Sequence, residues 1–201
     1  MISLFLKGGP IMWPLLLASV TALTTVVERL IFILMEKKNK QPQVIEKMFL
    51  LIEGGEVETA IETGKKSRDG VARILTYGLQ HRDESLSNAL MRAANQELKR
   101  YNQGLQVLDT IITLAPLLGL LGTVTGMIAA FGLLGAKELS SPTAITGGIA
   151  EALIATAFGL SIAITALIPF NYLNARLEEA RHDIEDSCTH LELLMQRIGV
   201  R

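Results

Sequence analysis

Apolar residues in this chain are concentrated in three long blocks separated by charged segments. The blocks extend from Ile11 to Met35, from Thr113 to Leu134 and from Gly147 to Phe170. Each is long enough for a helix that crosses a bilayer, which needs about 20 apolar residues. Because 49% of the 201 residues are hydrophobic and only 19% are charged, the composition is that of a membrane protein.

The first block has a second interpretation as a cleavable signal peptide. Lys7 precedes its apolar run, and residues 18–22 form a small-residue stretch of the kind found at cleavage sites. However, the apolar run resumes at residues 30–35 and then meets three lysines within residues 37–40, as at the charged inner end of a membrane helix. The pattern therefore favours a spanning helix.

The second and third blocks carry small residues at helical spacing, which a plain lipid anchor does not need. Small side chains at such positions allow two helix backbones to approach closely. We therefore expect both helices to pack against helix neighbours. The small residues are Ala115, Gly119, Gly122 and Gly126 in the second block and Ala152, Thr156, Gly159 and Ala163 in the third.

The positive charges predict how the chain is oriented. Of its nineteen Lys and Arg residues, twelve lie within residues 36–106 and four after residue 174. Because positively charged loops remain in the cytoplasm, the N-terminus should be periplasmic and the C-terminus cytoplasmic. The predicted segments are a periplasmic N-terminus (1–10), transmembrane helix 1 (11–35), a cytoplasmic helical loop (36–106), transmembrane helix 2 (107–134), a short periplasmic turn (135–146), transmembrane helix 3 (147–173) and a cytoplasmic helical tail (174–201).

The charged segments have helical periodicity of their own. In the loop, the pattern predicts helices over residues 42–53, 57–66 and 71–81, then a longer one from Asp83 that meets no proline before Pro116. Transmembrane helix 2 should therefore begin well inside the cytoplasm. The tail carries an apolar stripe that favours packing either within one subunit or between subunits. Its residues are Leu173, Leu177, Ala180, Ile184, Leu191, Leu194 and Ile198.

Composition also excludes several classes of function. A net charge of −1 excludes a polybasic nucleic-acid binder, and the single Cys188 excludes an internal disulfide. The chain has no metal-binding or phosphate-binding motif, so it offers no cofactor site and no sign of an enzyme. We interpret Cys188 as a small apolar filler.

If the second and third helices line a pore, each contributes one hydroxyl near mid-span, from Thr123 and Thr156. A threonine in a membrane helix can be a packing residue bonded to the carbonyl four residues earlier. Alternatively, the two hydroxyls form a polar ring able to hydrogen-bond a carboxylate or water. The stripes, from a turn of about 100° per residue, are Pro116, Leu120, Thr123, Met127 and Ala130 on one helix and Ala152, Thr156, Gly159 and Ala163 on the other.

Glu151 is the one ionisable side chain in the apolar part of these two helices. An intramembrane carboxylate indicates a functional site, although a glutamate near the end of a helix also serves as a cap at the mouth. It lies roughly 140° around the helix from Thr156. We therefore expect one of the two to face a neighbouring subunit.

Neither helix carries an ionisable group near its middle. Charged side chains are absent between Thr110 and Lys137 and between Ala152 and Arg176. Since proton movement across a membrane normally uses such a group, a partner should supply it. Pro116 and Pro169, at the inner ends, either expose backbone carbonyls for a pore or kink the helices without functional effect.

The segments APLLGLLGTVTGMIAAF and GIAEALIATAFGLSIAITALIPFNY resemble the two signature helices of the MotA/TolQ/ExbB proton-channel family, and most closely those of its ExbB branch. By position, Thr123 in LGTV and Thr156 in EALIAT match the family's pore threonines. Glu151 matches its motif glutamate and Pro116 its motif proline. Gly119, Gly122, Gly159 and Pro169 then become structural residues of the pore helices.

The resemblance implies an all-α integral membrane protein that forms an oligomeric helical bundle around a pore. It implies a pentamer in the bacterial inner membrane around paired helices of an ExbD-like protein, whose membrane Asp takes and releases the proton. A TonB-like protein then passes the energy to outer-membrane transport. A TolQ-like subunit of the Tol-Pal envelope system, or a non-conducting membrane scaffold, remains an alternative.

Overall fold

The computed structural model describes residue 5 and residues 7–135 and 142–199. No strand occurs within these ranges. We number the helices in chain order as α1 (Met12–Asn39), α2 (Pro42–Glu53), α3 (Val57–Lys65), α4 (Gly70–Gln80), α5 (Arg82–Asn102), α6 (Leu105–Gly135) and α7 (Pro142–Arg197). Helices α1, α6 and α7 contain segments long and apolar enough to cross a membrane, which confirms the predicted all-α class with three spanning helices.

The short helices begin and end where local chemistry requires. The Asp69 carboxylate caps α4 by accepting hydrogen bonds from the backbone N–H groups of Val71 and Ala72. Helix α2 begins with Pro42 at its first position and ends at Glu53, with Gly54 as its C-cap, followed by Gly55 at φ +81°. The helices predicted over residues 42–53, 57–66 and 71–81 therefore agree with α2, α3 and α4 to within one residue at each end, and α5 begins one residue before Asp83.

The prediction of an uninterrupted helix from the loop into the second span was wrong. Helix α5 ends at Asn102, and α6 begins at Leu105 after a break at Gln103 and Gly104. Gly104 has φ +81°, a conformation that side chains disfavour, and a β-carbon there would lie 3.0 Å from Cγ2 of Thr25 in α1. The break therefore depends on glycine, whereas the sequence argument considered only proline as a helix breaker.

The chain divides into two compact units. Unit 1 consists of Met1–Arg29 and Gly104–Tyr172, and unit 2 of Leu30–Gln103 and Leu173–Arg201. Helix α7 belongs to both, and its 56 residues make it about 84 Å long, far more than the 30 Å of hydrocarbon in a bilayer. A large part of α7 must therefore extend beyond the membrane.

Unit 2 has an apolar core between the loop helices and the C-terminal part of α7. Leu173, Leu177 and Ala180 are buried on α7, so the tail stripe packs within one chain. Burial raises the pKa of the Cys188 thiol to about 11, with smaller contributions from Glu192 and Glu185, in keeping with a small apolar filler. The core residues are Met48, Ile52, Ala60, Ile61, Ala72, Ile74, Leu75, Leu79, Leu90, Ile184, Leu191, Leu194 and Met195.

Two buried carboxylates of unit 2, Glu97 and Glu36, are paired with arginines. Glu97, only 8% exposed, lies 3.0 Å from a guanidinium nitrogen of Arg73 and 2.6 Å from one of Arg100. Arg100 also reaches Glu36, another 8%-exposed carboxylate, at 3.4 Å. Because an unpaired buried charge is strongly destabilising, these pairs link α1, α4 and α5 for stability rather than for chemistry.

Candidate functional site

Helices α6 and α7 pack against each other through glycines in unit 1. A β-carbon on Gly159 would lie 2.5 Å from the carbonyl oxygen of Ala115, and one on Gly119 would lie 3.0 Å from Cα of Thr156. Real β-carbons do not approach backbone atoms so closely, so the two helix backbones are in contact. This confirms that the small residues bring helices together, and the partners here belong to the same chain.

The same seam continues toward the N-terminal end of α7. A β-carbon on Gly122 would lie 2.6 Å from Cβ of Ala155, and one on Gly126 would lie 3.0 Å from Cβ of Ala152. Further along, Gly148 approaches Cβ of Ala130 in the same way. The two helices are therefore fixed in one register over several turns.

Thr156 makes a hydrogen bond across this seam. Its Oγ1 donates to the carbonyl oxygen of Gly119 at 2.9 Å, rather than to a carbonyl of its own helix. In a regular helix the Gly119 carbonyl also accepts from the backbone N–H of Thr123. The two predicted pore threonines are therefore connected through one carbonyl group, which the sequence did not predict.

Thr123 uses its own helix instead. Its Oγ1 donates to the carbonyl oxygen of Leu120 at 2.7 Å, three residues earlier, and the side chain is half-buried. Leu120 and Met127, on the same predicted stripe, are 57% and 43% exposed. This face of α6, defined by Leu120, Thr123 and Met127, is left uncovered by the described chain.

The rest of the predicted stripes is distributed differently. Ala130 is buried on α6, and on α7 Ala152, Gly159 and Ala163 are buried in unit 1, while Thr156 is half-buried. On α7 the stripe therefore lies mainly in the seam with α6. Of the two predicted stripes, the described part of a single chain covers most of the one on α7 and leaves Leu120 and Met127 of the one on α6 exposed.

Glu151 lies elsewhere, against the segment that leads into α1. A β-carbon on Gly9 would lie 1.8 Å from Oε1 of Glu151 and 2.8 Å from its Cδ. No role was predicted for Gly9, and Glu151 was expected to face a lumen or a neighbouring subunit, or to cap the mouth. The glycine pair at residues 8 and 9 was the only feature of the sequence that pointed to a close contact of this segment.

Both predicted prolines lie inside continuous helices. Pro116 is in α6 and Pro169 in α7, and each removes the backbone donor for the carbonyl four residues earlier. Pro169 also lines an open groove of about 230 Å³ with Ser19 and Thr165. Within the described residues, no group of three or more His, Cys, Asp or Glu side chains is arranged to hold a metal ion.

A family model described as "MotA/TolQ/ExbB proton channel family" matches residues 66–186, which include all of α6, both threonines and Glu151. The chain belongs to this family. The match confirms the family inferred from the two signature helices. In this family context, a pair of close-packed helices, with a threonine hydroxyl bonded across their seam and no midspan charge, is part of a membrane proton channel.

Named relatives carry the ExbB name. The ExbB-like protein 1 of Synechocystis sp. is 36% identical over 211 residues, covering 96% of this chain and 78% of that protein. Biopolymer transport protein ExbB of Neisseria gonorrhoeae is 34% identical over 142 residues, covering 70% of this chain and 64% of that protein. The ExbB of Xanthomonas campestris pv. campestris strain B100 is 37% identical over 112 residues, which is 52% of this chain and 44% of that protein. The chain is therefore an ExbB-like membrane channel subunit.

Proposed function

We propose that the chain is the ExbB-like subunit of an inner-membrane proton channel that, with an ExbD-like partner, uses proton-motive force to energise TonB-dependent outer-membrane transport. Its N-terminus is periplasmic and its C-terminus cytoplasmic, in line with the positive charges beyond residue 36. The observation that carries the proposal is the hydrogen bond from the Thr156 hydroxyl to the Gly119 carbonyl, across the seam and one helical turn from Thr123, in helices without a charge near mid-span.

The lack of a midspan charge is the reason for a partner. Between Ala152 and Arg176, and between Thr110 and Lys137, the chain offers hydroxyls and carbonyls but no group that takes up a proton at neutral pH. A carboxylic acid on a partner helix supplies it. Five copies of the chain surround the paired partner helices, and the uncovered α6 face of Leu120, Thr123 and Met127 faces them.

The hydrogen bonds decide which form of that acid the threonines prefer. Both hydroxyl protons already point at carbonyl oxygens, Leu120 for Thr123 and Gly119 for Thr156. Each hydroxyl oxygen keeps free lone pairs and therefore accepts a hydrogen bond. The protonated acid has an O–H to donate, whereas the carboxylate has none. This reverses the simpler idea that the hydroxyls donate to a carboxylate.

Coupling follows from this preference. The neutral acid crosses the apolar wall of leucine and methionine at low cost, while exposing the carboxylate there costs several kcal/mol. When the acid loses its proton on the cytoplasmic side, any position of the partner helix that exposes the carboxylate to this wall becomes unfavourable. Repeated protonation therefore moves the paired inner helices step by step against the surrounding subunits.

Proton flux in liposomes tests the channel. The chain is co-expressed with the ExbD-like protein, and flux is compared for wild type, Thr156→Ser and Thr156→Val. Wild type and Thr156→Ser should conduct, whereas Thr156→Val should lose about tenfold, the effect of one hydrogen bond of roughly 1.4 kcal/mol. Ser161→Ala is the matched control, since Ser161 donates to Ala157 within α7 at 2.7 Å.

Two results would contradict the proposal. Equal flux in wild type and Thr156→Val would remove the hydroxyl from the pathway. A stable complex that conducts neither as wild type nor as a Thr156 variant, and whose loss in cells leaves iron-chelate uptake unchanged, would instead favour a scaffold. A Tol-like rather than TonB-like neighbouring gene product would assign the chain to the Tol-Pal system.

A further inference from the structure

In unit 1, a glycine turn at residues 8–10 precedes α1 and contacts α7. Gly9 has φ +73°, and a β-carbon on it would almost coincide with Oε1 of Glu151, 1.8 Å away. The Glu151 carboxylate therefore occupies the space that a side chain at residue 9 would need. Only glycine provides both this space and this backbone conformation at low cost.

The neighbouring Gly8 contacts the same face of α7. A β-carbon on Gly8 would lie 3.1 Å from Cγ2 of Ile154, which follows Glu151 by three residues and thus shares its face. It would also lie 2.6 Å from Cγ and Sδ of Met12, which is 1% exposed. The turn is therefore in close contact with both α1 and α7.

Hydrogen bonds and ring packing hold the turn in place. The N–H of Gly8 donates to the carbonyl of Phe5 at 3.1 Å, and the N–H of Met12 donates to that of Gly9 at 3.2 Å. The rings of Phe5 and Trp13 pack edge to face with centroids 5.6 Å apart. The turn leads directly into α1, which begins at Met12.

We propose that the turn at residues 8–10 is a seat for the Glu151 carboxylate and that Gly9 is a positioning residue for it. The inference rests on the proposed function and takes Glu151, near the outer end of the third spanning helix, to lie at the periplasmic end of the proton pathway. The seat fixes the side chain toward α1 of its own chain. Protons reaching the threonines then pass a carboxylate whose position is set by the N-terminal turn.

Gly9→Ala tests the seat, with Gly55→Ala as its matched control. Gly55 has a similar φ of +81°, but a β-carbon on it would meet nothing within 4 Å, so that variant bears only the backbone strain. Gly9→Ala must also displace Glu151. We expect it to lower proton flux several-fold and to speed modification of Glu151 by a water-soluble carbodiimide, measured by mass spectrometry. Gly55→Ala should change neither.

Second variants separate positioning from a general folding defect. Glu151→Asp shortens the side chain by one methylene and should restore part of the flux of Gly9→Ala. In a Glu151→Ala background, where the space is vacated, Gly9→Ala should have no further effect on flux and should lower the melting temperature no more than Gly55→Ala does, because only the backbone strain remains. A Gly9→Ala chain that is recovered folded only together with Glu151→Ala would also support the seat.

The outcomes distinguish this inference from the channel itself. Carbodiimide modification of the purified chain reports on the seat even when no flux is found. Unchanged modification in Gly9→Ala, or equal damage by Gly9→Ala in the presence and absence of the Glu151 carboxylate, would overturn the seat and leave the channel proposal intact.

Discussion

The hydrogen bond made by the Thr156 hydroxyl determines how this side chain can interact with a partner. Its proton is donated to the Gly119 carbonyl at 2.9 Å, on the neighbouring helix, so its oxygen is left as an acceptor. A hydroxyl bonded within its own helix would have no fixed relation to α6. Here the bond makes the position of the acceptor depend on the seam between the two helices.

This polarity predicts the direction of a pH effect. If Thr156 accepts from the neutral acid of the partner, Thr156→Val removes a stabilisation of the protonated form. The pH midpoint for carbodiimide labelling of that acid should then move down by about 0.5–1 unit, the equivalent of one hydrogen bond. Labelling of the co-purified complex over a pH series measures it.

Thr125→Val is the control for this experiment, because Thr125 is exposed and donates only to Leu121 and Gly122 of its own helix. The pH midpoint of carbodiimide labelling in Thr125→Val should match that of wild type. An upward shift in Thr156→Val would mean that the hydroxyl donates to the carboxylate, and an unchanged midpoint would mean that it does not contact the acid.

The seam between α6 and α7 is the element on which the site depends. Periodicity predicted the helices, and small residues at three- and four-residue spacing predicted close packing, because both are local properties of the sequence. The roles of Gly104 and Gly9 were not predictable in the same way. Their contacts with Thr25 and Glu151 join residues far apart in the chain, and a glycine alone does not reveal its neighbour.

Gly159→Ala should separate these two helices. The added β-carbon would lie 2.5 Å from the Ala115 carbonyl oxygen, a backbone atom that cannot move aside alone. We expect a loss of about 1–3 kcal/mol in stability, as for other overpacked sites, together with loss of proton flux. Thermal unfolding in detergent and liposome flux measure the two effects.

Gly132→Ala provides the comparison on α6, because a β-carbon on Gly132 would meet nothing within 4 Å. Alanine is the better helix former, so this variant should be as stable as wild type or slightly more stable. If Gly159→Ala were equally harmless, the glycine seam would not be what holds the threonines together.

At the scale of the whole molecule, the distribution of lysine and arginine is asymmetric about the first span. Twelve of the nineteen lie within residues 36–106, where α2 to α5 form much of unit 2. The core of that unit consists of the loop helices and the C-terminal part of α7, and its buried Glu36 and Glu97 are paired with arginines. A charged unit of this kind stays on the side where it is synthesised, so unit 2 should be cytoplasmic.

Cysteine labelling tests this orientation in cells. In a Cys188→Ser background, Lys7→Cys and Lys66→Cys each introduce one thiol at an exposed lysine, one before α1 and one between α3 and α4. A membrane-impermeant maleimide should label Lys7→Cys in intact spheroplasts and Lys66→Cys only after permeabilisation. Because one span separates the two positions, labelling of both in intact spheroplasts would contradict α1 as a spanning helix, and the reverse pattern would invert the proposed proton path.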